Sequence, residues 1–156
     1  MLRAAARAQR RTGVTLTLHS TRAPLGLDQL DILREEGVDP RRVVVGHAHS
    51  YPDHAYHAEV ARRGAFLTFD RMGVTNEYER QRTIRLICEL VEAGYIKHLM
   101  LSQDVCYKSD LVAYGGVGYG FVPGELTGML RQAGLSDEQL HQILVANPRR
   151  ALTGAD

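Results

Sequence analysis

The segment VVVGHAH, residues 43–49, joins a run of valines to two closely spaced histidines and decides the fold class of this chain. An uninterrupted run of β-branched residues is typical of a strand that is covered on both faces, as in a parallel sheet. Reactive side chains that directly follow such a strand are typical of the sheet edge at which α/β proteins bind their ligands. The segment therefore predicts a buried parallel strand that leads into a functional site.

Outward from this segment, strands and helices alternate along the chain. The apolar pattern predicts strands at 13–19, 41–47, 65–70 and 96–104, with helices at 27–37, 53–64 and 76–94 and two closing helices at 122–134 and 136–148. Each connection between strands contains a dozen or more residues and a helix, which is the pattern of parallel strands. We predict a single α/β domain over residues 1–156.

Length and composition narrow the class of protein. The chain has 156 residues, of which 44% are hydrophobic and 24% charged, and its net charge is +1. These values are typical of one globular domain and indicate neither a nucleic-acid nor a membrane partner. The first twelve residues fit an Ala/Arg helix better than a targeting peptide. Cys88 and Cys106 form no disulfide framework and are predicted as structural thiols, so a reducing, cytoplasmic location is expected.

The four predicted strands end on side chains that can bind metal or transfer protons, namely His19, His47, Asp70 and Asp104. One histidine after a strand is commonly a surface residue, and one aspartate is commonly a helix cap. Four in succession indicate a site, because the carboxyl ends of parallel strands converge. Two neutral imidazoles with a carboxylate are a donor set that suits zinc or a similar divalent ion.

Four motifs give the chain a resemblance to a known family. The motifs VTLTLHS (14–20), VVVGHAH (43–49), FLTFDRMG (66–73) and LMLSQDVC (99–106) resemble, in order, strands five to eight of the phosphotriesterase-like group of the amidohydrolase superfamily. The segments YGGVGYGF and ILVANPRRALTG favour its phosphotriesterase-related and lactonase branches. The resemblance implies the C-terminal half of a TIM (β/α)8 barrel, without the first four βα units.

The resemblance also implies a ligand set and a reaction. His19 and His47 would hold the more exposed of two metal ions, and Asp104 would bind the buried ion and act catalytically in proton transfer. The ions would be zinc, with manganese, cobalt or iron as alternatives. Metal-bound hydroxide would attack a small-molecule ester, lactone, amide or phosphotriester.

Three further residues are expected at the substrate. By resemblance, Asp70 and Arg71 border the substrate pocket, and the loop 105–121 shapes specificity, with Tyr114 as an apolar wall. An alternative for Arg71 is a simple ion pair with the adjacent Asp70.

The other histidines of the opening stretch receive structural interpretations. The pair His47 and His49 has the spacing of a family motif that ends strand one, but here it follows another strand-end histidine, so only His47 is expected to bind metal. His54 and His57 share one helix face. We predict a solvated face rather than a second zinc site.

The absent ligands leave two interpretations open. The family's strand-one histidine pair is not in this sequence, and no lysine ends a predicted strand, since Lys97 and Lys108 are the only lysines. The chain is either a hydrolase whose site is completed by self-association or by an N-terminal half-barrel partner, or an inactive fragment or scaffold half. An open flavodoxin-like binding domain is disfavoured, because HSTRAPLG (19–26) is a poor phosphate-binding loop.

Overall fold

The computed structural model describes residues 1–154 and contains one parallel sheet. Its strands are β1 (Leu16–His19), β2 (Val43–Gly46), β3 (Phe66–Phe69) and β4 (Leu99–Leu101), hydrogen-bonded in the order β1-β2-β3-β4. Neighbouring strands are parallel, with Leu16 opposite Val43 and Leu67 opposite Leu99. The predicted α/β class and parallel sheet are therefore confirmed.

Helices lie in each connection between strands and also before the first strand and after the last one. They are α1 (Leu2–Thr12), α2 (Leu25–Glu35), α3 (His54–Arg62), α4 (Glu77–Glu92), α5 (Thr127–Gln132), α6 (Asp137–His141) and α7 (Asn147–Thr153). Side chains of Asp53 and Asn76 accept hydrogen bonds from the first turns of α3 and α4, which explains where these helices begin. In residues 1–154, no helix has the length and apolarity required to cross a membrane.

The strands are shorter than the apolar runs that predicted them. Short 3₁₀ turns at Pro40–Arg42 and Ile96–His98 occupy the predicted starts of β2 and β4. At the first turn, Asp39 accepts a hydrogen bond from the Arg41 amide, and Pro40 has the fixed φ of a helix start. Turn chemistry therefore overrides the strand propensity of these residues.

The last helical segment does not end at Pro148 as predicted. A π turn at Gln142–Ala146 joins α6 to α7, and Pro148 lies at the start of α7. Proline has no N–H and clashes with the carbonyl four residues earlier, so a wider turn just before it lets the helix continue. The buried Asn147 side chain donates to the carbonyls of Ile96 (2.7 Å) and Leu99 (2.6 Å) and thereby ties α7 to β4.

The two faces of the sheet have different surroundings. Val43, Val45 and Leu67 belong to the main core, which packs the sheet against the helices. Because side chains alternate along a strand, the opposite face carries a different set of residues. Near the strand starts, that face holds a small apolar cluster of Val44, Phe66, Met100 and Ala151. Near the strand ends, the same face is polar.

A candidate metal centre at the strand ends

The strand ends bring the four predicted site residues to one edge of the sheet. His19 is the last residue of β1, His47 and Asp70 directly follow β2 and β3, and Asp104 lies three residues after β4. Together they line a cleft of about 210 Å³, whose other walls are Thr17, Leu18, Gly46, Thr68 and Ser102. The convergence predicted from the sequence is therefore present.

The backbone at this edge has an uncommon conformation. His47, Arg71 and Asp104 have positive φ angles of 57°, 57° and 46°, the left-handed region that residues with a side chain seldom adopt. Such a conformation costs roughly 1–3 kcal/mol per residue and is found mainly where a site requires it. His47 and Asp104 line the cleft and Arg71 contacts Asp104, which indicates that the backbone at this edge is adapted to the placement of these side chains.

One ring nitrogen of His47 is hydrogen-bonded to Asp70, and the other faces His19. Asp70 accepts a hydrogen bond from the His47 backbone N–H through Oδ2 (3.0 Å) and from ring Nδ1–H through Oδ1 (2.8 Å). The proton is on Nδ1 because an ionised carboxylate only accepts. His47 Nε2 therefore presents its lone pair, and it lies 3.0 Å from His19 Nδ1. At this distance the two rings can share a hydrogen bond, and the same spacing lets both nitrogens bind one metal ion at about 2.0–2.1 Å.

Asp70 is the buried centre of this arrangement, being only 3% exposed. Burial by itself would raise the pKa of the Asp70 carboxyl, but the imidazoles of His49 and His47 beside it hold that pKa below its ordinary value. Asp70 is thus an anion at neutral pH, with both oxygens engaged by His47. The position that the sequence assigns to Asp70, at the border of the substrate pocket, stays a prediction; in the structure its carboxylate contacts His47 and orients the ring.

Asp104 and Arg71 form a second contact at the cleft. The Arg71 guanidinium lies 3.3 Å from Asp104 Oδ2 and 3.0 Å from Cys106 Sγ. The alternative that Arg71 pairs with its neighbour Asp70 is not the arrangement observed. Cys106 is exposed and beside Arg71, and its prediction as a structural thiol stays a prediction, whereas Cys88 is partly buried against the core as expected.

His49 was not predicted to take part in the site. Its side chain is 15% exposed, and its Nδ1 lies 3.2 Å from Asp70 Oδ1. The 3₁₀ turn Ala48–Ser50 brings it back towards the carboxylate. The His-x-His spacing was the available signal, although it indicated metal binding rather than a contact with Asp70.

His54 and His57 do not share a solvated face. His54 is exposed, but His57 is fully buried, and its Nε2–H donates to the Ala48 carbonyl (3.0 Å). The Phe69 ring packs against His57 at a centroid distance of 5.4 Å. The prediction of solvation is therefore wrong for His57, which supports the turn that follows His47.

Tyr114 lies in the loop 105–121 but outside the residues that line the cleft. Its side chain is 57% exposed, and the Lys108 ammonium lies 5.2 Å from the centre of its ring. Its role as a substrate wall stays a prediction.

A possible metal site emerges from side-chain positions alone. Among the described residues, His47, Asp70 and Asp104 each offer a ligand atom, and these atoms lie within 4.8 Å of one another. This group shares His47 and Asp104 with the ligand set expected from the sequence and replaces His19 with Asp70. His19 lies outside this group, although its Nδ1 is 3.0 Å from His47 Nε2, and its predicted ligand role stays a prediction.

The comparisons with known proteins agree with this geometry. The chain is 38% identical over 159 residues to a phosphotriesterase homology protein of Mycobacterium tuberculosis, covering 96% of this chain and 48% of the relative. It is 33% identical over 167 residues to an N-acetyltaurine hydrolase of Dictyostelium discoideum, covering 96% and 44%. The chain thus spans about half the length of the curated relatives that it matches.

Solved structures and a family model give the same result. The crystal structure of a phosphotriesterase homology protein from Escherichia coli, with phosphate in its active site, superposes with a TM-score of 0.91 at 32% identity, covering 96% of this chain and 51% of that one. The model of the phosphotriesterase family matches residues 1–152. The chain therefore belongs to the phosphotriesterase family.

Proposed function

We propose that this chain forms the C-terminal half of a metal-dependent hydrolase. In this proposal β1 to β4 are strands five to eight of a (β/α)8 barrel, and the first four βα units are not part of residues 1–156. Support comes from the parallel order of the strands and from the match to half of a longer relative. The observation that carries the proposal is the directed pair of nitrogens, His47 Nε2 and His19 Nδ1, 3.0 Å apart.

The residues fit a divalent metal ion. His47 has one nitrogen protonated and bound to Asp70, which leaves the other nitrogen unprotonated and facing His19. A carboxylate behind a ligating histidine fixes the orientation of its ring and increases its basicity. Imidazole and carboxylate donors suit zinc first and manganese, cobalt or iron as alternatives. When bound, such an ion lowers the pKa of water and polarises a carbonyl or phosphoryl oxygen.

The chain's own residues have separate tasks in this proposal. His19 and His47 hold the ion, and Asp70 keeps His47 oriented. Asp104, at 35% side-chain exposure, is accessible from the cleft and accepts a proton during hydrolysis. Arg71 beside it contacts a polar or anionic group of the substrate, in exchange for its ion pair with Asp104.

The substrate class is an ester, lactone, amide or phosphotriester of a small molecule. Relatives of this chain include proteins named N-acetyltaurine hydrolase and aryldialkylphosphatase, so both amide and phosphotriester centres occur in the family. N-acetyltaurine carries a sulfonate, and the Arg71 guanidinium at the rim of the cleft is suited to that group.

Completion of the site by a partner is part of the proposal. Stable catalytic zinc sites have three protein ligands, whereas His19 and His47 provide two to one ion. The sheet has two outer strands, β1 and β4, and an exposed strand edge favours pairing with another strand. A second copy of the chain or an N-terminal half-barrel would supply the missing ligands. Cys88 and Cys106 are both free thiols, which fits a reducing cytoplasm.

The first test is the metal content per chain of the purified protein, measured with its native mass. Near-stoichiometric zinc, manganese, cobalt or iron that is lost in His47→Ala and kept in His54→Ala supports the proposal. Hydrolysis of N-acetyltaurine, lactones and an aryl dialkyl phosphate is then assayed with the metal-loaded form. Protein that binds no metal after loading refutes the proposal for the isolated chain and favours an inactive scaffold half.

A further inference from the structure

A second pocket lies at the opposite end of the sheet from the candidate metal centre. It opens at the strand starts, since Arg42 and His98 directly precede β2 and β4 and Phe66 begins β3. At about 3.3 Å per residue, the four positions from Phe66 to Asp70 separate the two sites by about 13 Å. This basal pocket has a volume of about 280 Å³ and is lined by Asp39, Arg41, Arg42, Gly64, Phe66, Lys97, His98, Arg150 and Gly154.

Positive charge dominates the lining of the basal pocket. Four of its residues are lysine or arginine, and one is an acid, Asp39. That carboxylate already accepts two-pronged hydrogen bonds from Arg41, with the shortest contact at 2.7 Å. Three cations therefore remain without a carboxylate among the lining residues, which produces a concave surface of positive potential.

Two of these cations are fixed by the protein backbone. Arg42 donates to the carbonyls of Gly13 (3.1 Å) and Ala151 (3.3 Å). Arg150 donates to the Lys97 carbonyl, and its guanidinium lies 5.1 Å from the centre of the Phe66 ring. Neutral carbonyls orient these guanidinium groups without cancelling their charge, so the pocket is organised before any ligand arrives.

Lys97 and His98 complete the lining. The Lys97 side chain is exposed, and its ammonium contacts no acid within the described part of the chain. His98 donates through Nδ1 to the Ala65 carbonyl (3.0 Å). Burial lowers the pKa of the His98 imidazole and the nearby Arg150 lowers it further, so this ring is neutral and leaves Nε2 as a polar group without charge.

We propose that the basal pocket binds a compact dianion, either inorganic phosphate or a small phosphate monoester. Guanidinium groups match the oxygen geometry of phosphate, and an ammonium adds a mobile point charge. The volume of the pocket is that of about nine water molecules at roughly 30 Å³ each, enough for a phosphate group with a small organic substituent. This site is independent of the metal centre and of the proposed hydrolysis.

The test is calorimetric titration of the full chain, with chelator present, using inorganic phosphate and glycerol phosphate as probes. We expect saturable binding of the probes. Lys97→Ala should weaken it about tenfold, the effect of losing one charged contact, whereas Lys97→Arg should preserve it. Lys108→Ala removes the other lysine of the chain and is the matched control, with unchanged affinity. Tighter binding of glycerol phosphate than of phosphate identifies a monoester site, and the reverse identifies a phosphate site.

Three results would overturn the proposal. The first is that neither probe binds. The second is that Lys97→Ala and Lys108→Ala weaken binding equally, which would indicate general charge attraction. The third is that His47→Ala abolishes binding, which would place the anion at the strand ends. The chelator removes any bound metal, so a protein that binds neither phosphate probe would not contradict the proposed metal site. Equally, a protein that binds no metal can still be tested for phosphate binding.

Discussion

His57 makes the stability of this chain depend on pH in the mildly acidic range. Burial lowers the pKa of the His57 imidazole from 6.5 to about 4, although the Ala48 carbonyl partly offsets this effect. Its Nε2–H donates to that carbonyl, while Nδ1 has no hydrogen-bond partner among the described residues. The folded state therefore keeps the ring neutral, whereas the unfolded chain binds a proton below pH 6.5.

The magnitude follows from the two pKa values. A neutral ring in the folded state stabilises it fully above pH 6.5, and this contribution is lost as the pH falls towards 4. A shift from 6.5 to about 4 corresponds to about 3 kcal/mol in total. Between pH 7 and pH 5 the same linkage removes about 2 kcal/mol of unfolding free energy.

Urea denaturation at pH 7 and pH 5 measures this loss. His57→Gln keeps an N–H donor near Ala48 but does not titrate. Its free energy of unfolding should therefore decrease between pH 7 and pH 5 by about 2 kcal/mol less than that of the unaltered chain. His54→Gln lies on the exposed side of the same helix, and its free energy of unfolding should decrease as much as that of the unaltered chain. An NMR titration of the unaltered protein checks the ring directly. A His57 pKa near 6.5, or equal decreases in all three proteins, would refute the reasoning.

Three further predictions concern the strand ends. Asp70→Asn should weaken metal binding about 10–100-fold, because the His47 ring loses its orienting carboxylate, and competition with a chelator measures this; unchanged affinity would show that Asp70 does not orient the ring. His47→Ala should lower the metal content per chain while His54→Ala leaves it unaltered, as elemental analysis determines; equal losses would remove His47 from the ligand set. Gly46→Ala should destabilise the fold by about 1–3 kcal/mol in denaturation, because a Cβ there would lie 2.5 Å from the Leu18 carbonyl oxygen and force β1 and β2 apart; an unchanged midpoint would contradict this close approach.

The order of the elements could be predicted from the sequence, and the strand lengths could not. Apolar periodicity and capping residues such as Asp53 are local signals, and they placed each helix within a few residues of its observed position. The starts of β2 and β4 depend on turns at Pro40–Arg42 and Ile96–His98, where local hydrogen bonds compete with the ladder. The burial of His57 depends on packing against Phe69, twelve positions away, and helix periodicity carries no such information.

The sequence predicts which residues lie near the candidate site. It does not predict their contacts, because these depend on a backbone conformation that local sequence patterns do not indicate. His47 and Asp104 have side chains and adopt left-handed φ angles that local propensity assigns to glycine. At His47 the cost is offset by Asp70, which accepts from both the backbone N–H and the ring. One carboxylate directly after β3 thus fixes the backbone and the ring of a residue directly after β2, so replacing it loosens the proposed metal ligand without removing it. Metal affinity should therefore be more sensitive to replacement of Asp70 than the stability of the fold is, because this carboxylate sets the orientation of a proposed ligand.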